Sequence, residues 1–158
     1  AIKIMEIELV KPPVEILLGE DNPGDVYIVR SSLTDSQINH NFYQVDNGEA
    51  VMAYLHQEQG YQNVSLPDLV LLDLNLPKKN GFEVLEEIKA DPKLKTIPVV
   101  ILTSSNSEKD ILRSYQLCAN SYIVKPSDYL VFFQAIKNIE IFWLNLAKLP
   151  PKLSTNFN

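Results

Sequence analysis

The sequence predicts a doubly wound α/β domain, in which five helices cover the two faces of a five-stranded parallel sheet. Along the chain, five short apolar segments alternate strictly with longer amphipathic segments. Such alternation is typical of βαβ units, because parallel neighbours are joined by a long crossover that is usually helical. Two apolar segments, residues 69–72 and 97–102, are almost continuously apolar, as expected of strands buried on both faces.

Strands are predicted where a short apolar run is bounded by turn residues. Pro12 and Pro13 precede the first run, and the polar turn 19–22 follows it. The turn 46–48 follows the second run. The five predicted strands cover residues 14–18, 41–45, 69–72, 97–102 and 122–124.

The first three helices are predicted from apolar periodicity and from residues that begin or end helices. Pro23 opens the first helix, since a proline at the first helical position gives up an N–H that would have no partner. Gly60 ends the second helix, and Gly81 leads into the third. The third helix stops at Asp91, because the residue before a proline avoids helical geometry.

The last two helices begin at capping residues. Ser107 is predicted to cap the fourth helix, and either Ser127 or Asp128 to cap the fifth. The fifth helix is expected to run to about Leu149, where Pro150 and the next proline terminate it.

The length of the chain fits one domain, and its charge argues against binding to nucleic acid or to anionic lipid. The chain has 158 residues, enough to bury a proper core, and the domain is expected at 12–149, between an arm at 1–11 and a polar tail at 150–158. With a formal net charge of −6, binding to nucleic acid or to anionic lipid is not expected. Cys118 is the only cysteine and no apolar run could span a membrane, so we expect a cytoplasmic protein without internal disulfides.

Polar side chains follow four of the predicted strands, at the edge where the carboxyl ends of parallel strands meet. They are Glu20 and Asp21 after the first strand, Asp73 after the third, Thr103 and Ser104 after the fourth, and Lys125 after the fifth. Taken singly, each residue is more commonly a capping, turn or surface residue. Their combination at one sheet edge is what favours a shared chemistry.

That chemistry is predicted to be phosphoryl transfer. Three carboxylates repel one another unless a cation lies between them, and oxygen ligands of this kind suit Mg²⁺. A hydroxyl and an ammonium group beside a metal can bind the oxygens of a phosphoryl group. Asp73 is the expected nucleophile, giving an aspartyl phosphate, because an apolar strand holds it rigidly at the edge.

The chain resembles the receiver domains of two-component response regulators over about residues 12–149. The matching segments are Ile-Leu-Leu-Gly-Glu-Asp-Asn at 16–22, Leu-Leu-Asp-Leu-Asn-Leu-Pro at 71–77 with Gly81, Val-Val-Ile-Leu-Thr-Ser at 99–104, and Val-Lys-Pro at 124–126. The resemblance implies a flavodoxin-like sheet with strand order 2-1-3-4-5. Asp-Asn-Pro-Gly-Asp at 21–25, Leu-Asn-Leu-Pro at 74–77 and Phe-Trp-Leu at 142–144 are similar to cyanobacterial phytochrome response regulators.

The resemblance implies a role for each acidic residue. Asp73 would accept a phosphoryl group from a histidine kinase, of the phytochrome type on the closer resemblance. Asp21 would bind Mg²⁺ directly, Glu20 through water, and Asp73 and the backbone carbonyl of Asn75 would complete the metal ligands. Glu20 departs from the family, which more commonly has Asp there.

The resemblance also implies how the phosphoryl group is bound. Thr103 and Lys125 would each bind a phosphoryl oxygen, and Tyr122 would be the aromatic switch residue that moves inward with the threonine. The bond between Lys125 and Pro126 would be cis. Cys118 stands where the family usually has glycine at a helix end, so left-handed geometry there could cost about 1 kcal/mol, unless the turn differs; we expect this cysteine to be buried or half-buried.

The last helix carries two apolar stripes, and a surface helix normally shows one. Phe132, Ile136, Ile139 and Trp143 suffice to pack on the sheet, and Val131, Ala135 and Phe142 form the second stripe. We expect signalling by protein contact and a homodimer through the last two helices and the last strand, as similar regulators form. The alternative is that the C-terminal extension folds back over the second stripe.

Two other functions remain open. A phosphatase of the haloacid dehalogenase type also uses an aspartate on a parallel sheet, but it needs a second aspartate where this chain has Asn75. A phosphorylation-independent interaction module is disfavoured by the intact set of Asp73, Thr103 and Lys125. We therefore predict a phosphoacceptor that catalyses its own phosphorylation and dephosphorylation, and not an enzyme acting on other substrates.

Overall fold

The computed structural model describes residues 11–152, which form one α/β domain. Its elements are β1 Val14–Gly19, α1 Pro23–Thr34, β2 His40–Val45, α2 Gly48–Leu55, β3 Leu69–Leu72, α3 Gly81–Ala90, β4 Val99–Thr103, α4 Glu108–Gln116, β5 Ser121–Val124, α5 Tyr129–Glu140 and a π-helical segment Ile141–Leu146. The strands form one sheet in the order β2-β1-β3-β4-β5, so the predicted fold is confirmed. Residues 1–10 of the predicted arm and 153–158 of the predicted tail lie outside the described residues.

All four strand pairs are parallel, and their register aligns the strand ends. Gly19 at the end of β1 is paired with Leu72 at the end of β3, and Leu72 with Ile101 of β4. Thr103 at the end of β4 is paired with Val124 at the end of β5. The residues that follow these strands therefore leave the sheet at one edge, which we call the carboxyl edge.

The sheet separates two hydrophobic cores, because successive side chains of a strand point to opposite faces. Leu17 enters the core beneath α2 and α3, whereas Ile16 and Leu18 enter the core beneath α1 and α5. All four residues of β3 are buried, as their continuous apolar pattern predicts. Within residues 11–152, no helix is long and apolar enough to cross a bilayer.

Side-chain caps fix the starts of the helices next to the carboxyl edge. Asn22 caps α1 by accepting hydrogen bonds from the backbone N–H groups of Gly24 and Asp25, and Pro23 takes the first turn as predicted. Ser107 caps α4, as predicted. Asp128 caps α5.

The end of the last helix differs from the prediction, which placed it near Leu149. The α-helix stops at Glu140, and the π-helical segment ends with the Ala147 N–H donating to the Phe142 carbonyl at 2.7 Å. Ala147 then takes extended geometry, so the chain leaves the helix before the prolines that were expected to stop it. Lys152, in the predicted tail, lies with its Nζ 3.8 Å from Asp68 Oδ2.

Cys118 lies in the turn between α4 and β5 with φ of 70°, in the left-handed region. The turn therefore keeps the geometry for which glycine is best suited, and a side chain there costs roughly 1 kcal/mol. The expectation that this cysteine is buried is wrong, because it is exposed. Its neighbours explain this, since the Ala119 N–H closes the turn onto the Ser114 carbonyl and turns the side chain of Cys118 outwards.

Candidate functional site

Three acidic residues meet at the carboxyl edge, as the sequence predicts. Glu20, Asp21 and Asp73 each offer a carboxylate oxygen, and these oxygens lie within 4.8 Å of one another. Glu20 is 1% exposed and Asp73 is 5% exposed, whereas Asp21 is open to solvent. A hard divalent cation fits this donor set, because carboxylates supply its oxygen ligands and the open side admits the waters that Mg²⁺ keeps.

The backbone fixes the two buried carboxylates. The Asp73 N–H donates to the Gly19 carbonyl at 3.0 Å, which ties the end of β3 to the end of β1. The Asn75 N–H donates to Asp73 Oδ1 at 3.2 Å, and the Asn22 N–H donates to Glu20 Oε1 at 3.0 Å. Each carboxylate keeps its second oxygen for another partner. The role of the Asn75 carbonyl as a metal ligand stays a prediction.

Lys125 lies at the centre of the site. Its Nζ is 2.6 Å from Glu20 Oε2, 2.9 Å from Asp73 Oδ2 and 2.9 Å from Asp25 Oδ2. The side chain is 5% exposed, and its backbone N–H donates to the Thr103 carbonyl at 2.7 Å. The lysine therefore gives each of its three N–H donors to a carboxylate in a site that excludes most water.

The predicted cis bond between Lys125 and Pro126 is wrong. None of the peptide bonds in residues 11–152 is cis. The trans form is the lower in energy by about 0.5–1 kcal/mol for a bond to proline. The long side chain of Lys125 reaches the carboxylates from the trans backbone, so the site does not depend on the rarer isomer.

Burial and Lys125 together set the protonation of the site. Burial and, to a smaller extent, the charge of Asp73 raise the pKa of Glu20 to about 7, against the opposing hydrogen bond and charge of Lys125. Burial alone would raise the pKa of Asp73, but the hydrogen bond and charge of Lys125 hold it below its ordinary value. Burial alone would lower the pKa of Lys125, but its three carboxylate partners raise it. At neutral pH, Asp73 is ionised and Lys125 is charged.

Thr103 places a free hydroxyl at the same edge. Its side chain is fully buried, and Oγ1 has no hydrogen-bond partner among the described residues. A buried hydroxyl without a partner is costly, so it is ready to donate to an oxygen that enters the site. Tyr122, the predicted switch residue, is half-buried and donates from its hydroxyl to the Ser105 carbonyl at 2.8 Å. Ser104 is exposed.

Gly81 allows α3 to start directly against Asp73. Its N–H donates to the Leu74 carbonyl at 2.8 Å. A Cβ atom at this position would overlap the carbonyl oxygen of Asp73 and the Cα of Leu74. A glycine is therefore needed here to keep Asp73 where the strand delivers it.

Sequence reasoning missed Asp25 as part of the site. It lies in the first turn of α1, four residues after Asp21, and it is one of the three partners of Lys125. The signal was present, because Asn22 and Pro23 predict a helix start at the carboxyl edge and so place the first turn of α1 beside the acidic pair.

The model of the response regulator receiver domain family matches residues 16–137. The chain belongs to this family. A receiver of the same kind, the response regulator Rcp1 of Synechocystis sp., is 47% identical over 139 residues, which cover 88% of this chain and 95% of Rcp1. The probable methanogenesis regulatory protein FilR2 of Methanothrix harundinacea is 36% identical over 87% of this chain and 88% of its own length.

Solved structures agree with this assignment. The phosphorylated cyanobacterial phytochrome response regulator RcpA superposes with a TM-score of 0.86 at 50% identity, covering 89% of this chain and 100% of that one. The Mn²⁺-bound form of Rcp1 also gives 0.86, at 46% identity, covering 88% of this chain and all of the other. The predicted receiver fold and the relation to phytochrome response regulators are thus confirmed, while the roles of individual residues remain predictions.

Proposed function

We propose that Asp73 accepts a phosphoryl group from a histidine kinase and that the chain passes this signal on by protein contact. Relatives described as phytochrome response regulators favour a phytochrome-type, light-sensing kinase as the donor. The observation that carries the proposal is the buried contact of 2.9 Å between Lys125 Nζ and Asp73 Oδ2, next to the unpartnered hydroxyl of Thr103. Residues 12–149 are proposed as the receiver unit.

The acceptor chemistry follows from the residues at the carboxyl edge. A carboxylate oxygen of Asp73 attacks phosphorus, the bond from phosphorus to the histidine nitrogen breaks, and an acyl phosphate forms. Lys125 offsets the negative charge, and Thr103 Oγ1 donates to a phosphoryl oxygen. Asp21, Asp73 and the Asn75 carbonyl would hold Mg²⁺, with Glu20 acting through water, and the ion would supply positive charge to the phosphoryl oxygens.

The response is proposed to start at Thr103 and Tyr122. A phosphoryl oxygen draws the Thr103 hydroxyl towards Asp73, since this hydroxyl has no competing partner within residues 11–152. Tyr122 then gives up its hydrogen bond to the Ser105 carbonyl and packs inward. The loop between β4 and α4 thereby changes its surface in step with phosphorylation.

A homodimer through α4, β5 and α5 is proposed as the signalling assembly. Val131 is 55% exposed and Phe142 is 49% exposed, and with the half-buried Ala135 they leave an apolar stripe that the chain up to Lys152 does not cover. β5 is an edge strand of the sheet, and a groove between β5 and α5 adjoins this stripe. An apolar surface next to an unpaired strand edge is typical of a site of association.

Labelling with a small phosphodonor tests the acceptor proposal. Wild type and the Asp73→Asn variant are incubated with an acyl phosphate and Mg²⁺, and intact-mass spectrometry follows the adduct. We expect one labile phosphoryl group on wild type and none on the variant, which keeps the shape of the side chain but lacks the nucleophilic charge. A wild-type chain that stays unlabelled, with the small donor and with a phytochrome-type kinase alike, would leave the phosphorylation-independent interaction module as the better interpretation.

A further inference from the structure

The third carboxylate on Lys125 belongs to a residue that the acceptor chemistry does not use. Lys125 donates to Glu20, Asp73 and Asp25. Glu20 and Asp73 belong to the acidic cluster that fits a cation, together with Asp21. Asp25 is not a member of that cluster, and the acceptor chemistry proposed above gives its carboxylate no role.

The position of Asp25 is fixed by the start of α1. Its backbone N–H donates to Asn22 Oδ1 at 3.1 Å, and the Gly24 N–H donates to the same oxygen at 2.9 Å. Its side chain is 24% exposed, so the carboxylate lies at the rim of the site while its Oδ2 reaches inwards to Nζ. A capped first turn is rigid, and Lys125 therefore has one anchor on α1 that is independent of the strand ends.

The other two partners of Lys125, Glu20 and Asp73, also belong to the acidic cluster. A cation bound by the acidic cluster draws on the oxygens of Glu20 and Asp73, which are the same groups that hold Nζ in the structure. A phosphoryl group on Asp73 replaces one of the oxygens that Nζ now contacts. Asp25 lies outside the cluster and is not the residue that is phosphorylated, so neither event makes a direct demand on its carboxylate.

We infer that Asp25 is a positioning residue, which holds the ammonium of Lys125 beside Asp73 while Glu20 and Asp73 are engaged by the cation and the phosphoryl group. The inference rests on the proposed function, because it concerns how fast Asp73 is phosphorylated. The competing explanation is that Asp25 merely stabilises α1 as a first-turn acid, which is a common role worth about 0.3–1 kcal/mol.

Phosphorylation rates at varied Mg²⁺ separate these explanations. With an acyl phosphate as donor, we expect Asp25→Asn to lower the maximal rate about tenfold, which corresponds to about 1.4 kcal/mol in the barrier. The Mg²⁺ concentration for half-maximal rate should stay within about threefold, because Asp25 lies outside the cluster. Asp25→Glu should recover part of the rate, since it restores a carboxylate for Lys125.

Glu83→Gln is the matched control. Glu83 is also an acid in the third position of its helix, α3, and it takes part in a capping box there, but it does not contact Lys125. A purely helical role for Asp25 predicts that both variants lose thermal stability and keep the wild-type rate. If saturating Mg²⁺ restores the full rate of Asp25→Asn, then Asp25 acts through the metal, and the inference is wrong.

A second measurement needs neither metal nor phosphodonor. In protein free of divalent cations, the ¹⁵N-labelled ammonium of Lys125 should exchange its protons slowly and give its own NMR cross-peak, because three carboxylates hold it in a buried site. We expect the peak to broaden in Asp25→Asn and to persist in Asp25→Glu and Glu83→Gln. An unchanged NMR peak in Asp25→Asn overturns the inference even if the wild type accepts a phosphoryl group normally. A wild type that accepts no phosphoryl group overturns the proposed function alone.

Discussion

The carboxyl edge of the sheet and the outer face of the last helix differ in whether their side chains find partners within the chain. At the edge, Lys125 directs all its donors to carboxylates of the same chain, and Glu20 and Asp73 are buried with it. On the outer face, Val131 and Phe142 leave about half of their surface open. Lys125 and its carboxylates therefore find their partners within one chain, whereas the outer face leaves apolar surface that residues 11–152 do not cover.

This contrast predicts which property a substitution in each region should change. A buried charge that loses its partner costs free energy of folding. An exposed apolar side chain contributes little to the folding of the single chain. Substitutions at the edge should therefore change stability and phosphorylation, and substitutions on the outer face should change association alone.

Replacing Lys125 should have the largest effect on stability. Lys125→Met keeps most of the length of the side chain but leaves Glu20 and Asp73 as buried carboxylates without their cation. We therefore expect the free energy of unfolding, measured in urea at neutral pH, to fall by about 3 kcal/mol. Mg²⁺ should return part of the loss, because it supplies the missing positive charge. Lys79→Met is the control, since Lys79 pairs with Glu87 at the surface and should cost less than about 1 kcal/mol. Equal losses in the two variants would mean that burial at the edge adds nothing.

The pH dependence of stability should report the burial of the Glu20 carboxyl group. The pKa of this residue is raised in the folded state from 4.5 to about 7, so between these values the folded state binds more protons than the unfolded state. Stability should therefore fall as pH rises through this window, by up to about 3 kcal/mol without divalent cations. Urea unfolding at several pH values measures it, and Glu20→Gln should remove this slope. A wild-type slope that matches the variant's would show that Glu20 is ionised throughout.

The arrangement of side chains at the edge could be predicted from sequence because it depends on residue types at strand ends. A continuous apolar run ending in Asp73 predicts both a buried strand and a rigid carboxylate, and β3 has the predicted bounds. Thr103 and Lys125 follow by the same reasoning from β4 and β5. Parallel strands bring these positions together in any doubly wound sheet, so no side-chain detail was needed.

The features that sequence missed depend on packing between distant or successive residues. Asp25 and Lys125 are 100 residues apart, and their contact requires α1 to start at one particular place beside β5. In the π-helical segment, each backbone N–H bonds to a carbonyl one residue further back than in an α-helix. The apolar periodicity of the sequence does not predict this change.

The outer face offers the smallest expected change in stability and the sharpest test of the contrast. Val131→Glu places an acid in the first turn of α5, where the helix dipole favours it, so the unfolding free energy should stay within about 0.5 kcal/mol of wild type. In a symmetric homodimer through this stripe, the same change puts a charge from each chain into the apolar contact, so the dissociation constant should rise at least about tenfold.

Sedimentation of phosphorylated and unphosphorylated protein at micromolar concentration measures that dissociation constant, and Val131→Leu should keep the wild-type value because it keeps the apolar contact. If wild type sediments as a monomer in both states, the proposed homodimer does not exist. If the dimer forms but tolerates Val131→Glu, association uses another surface. If association weakens while the chain stays equally stable, the stripe of Val131, Ala135 and Phe142 acts only between chains, in contrast to the edge around Lys125, which acts within one.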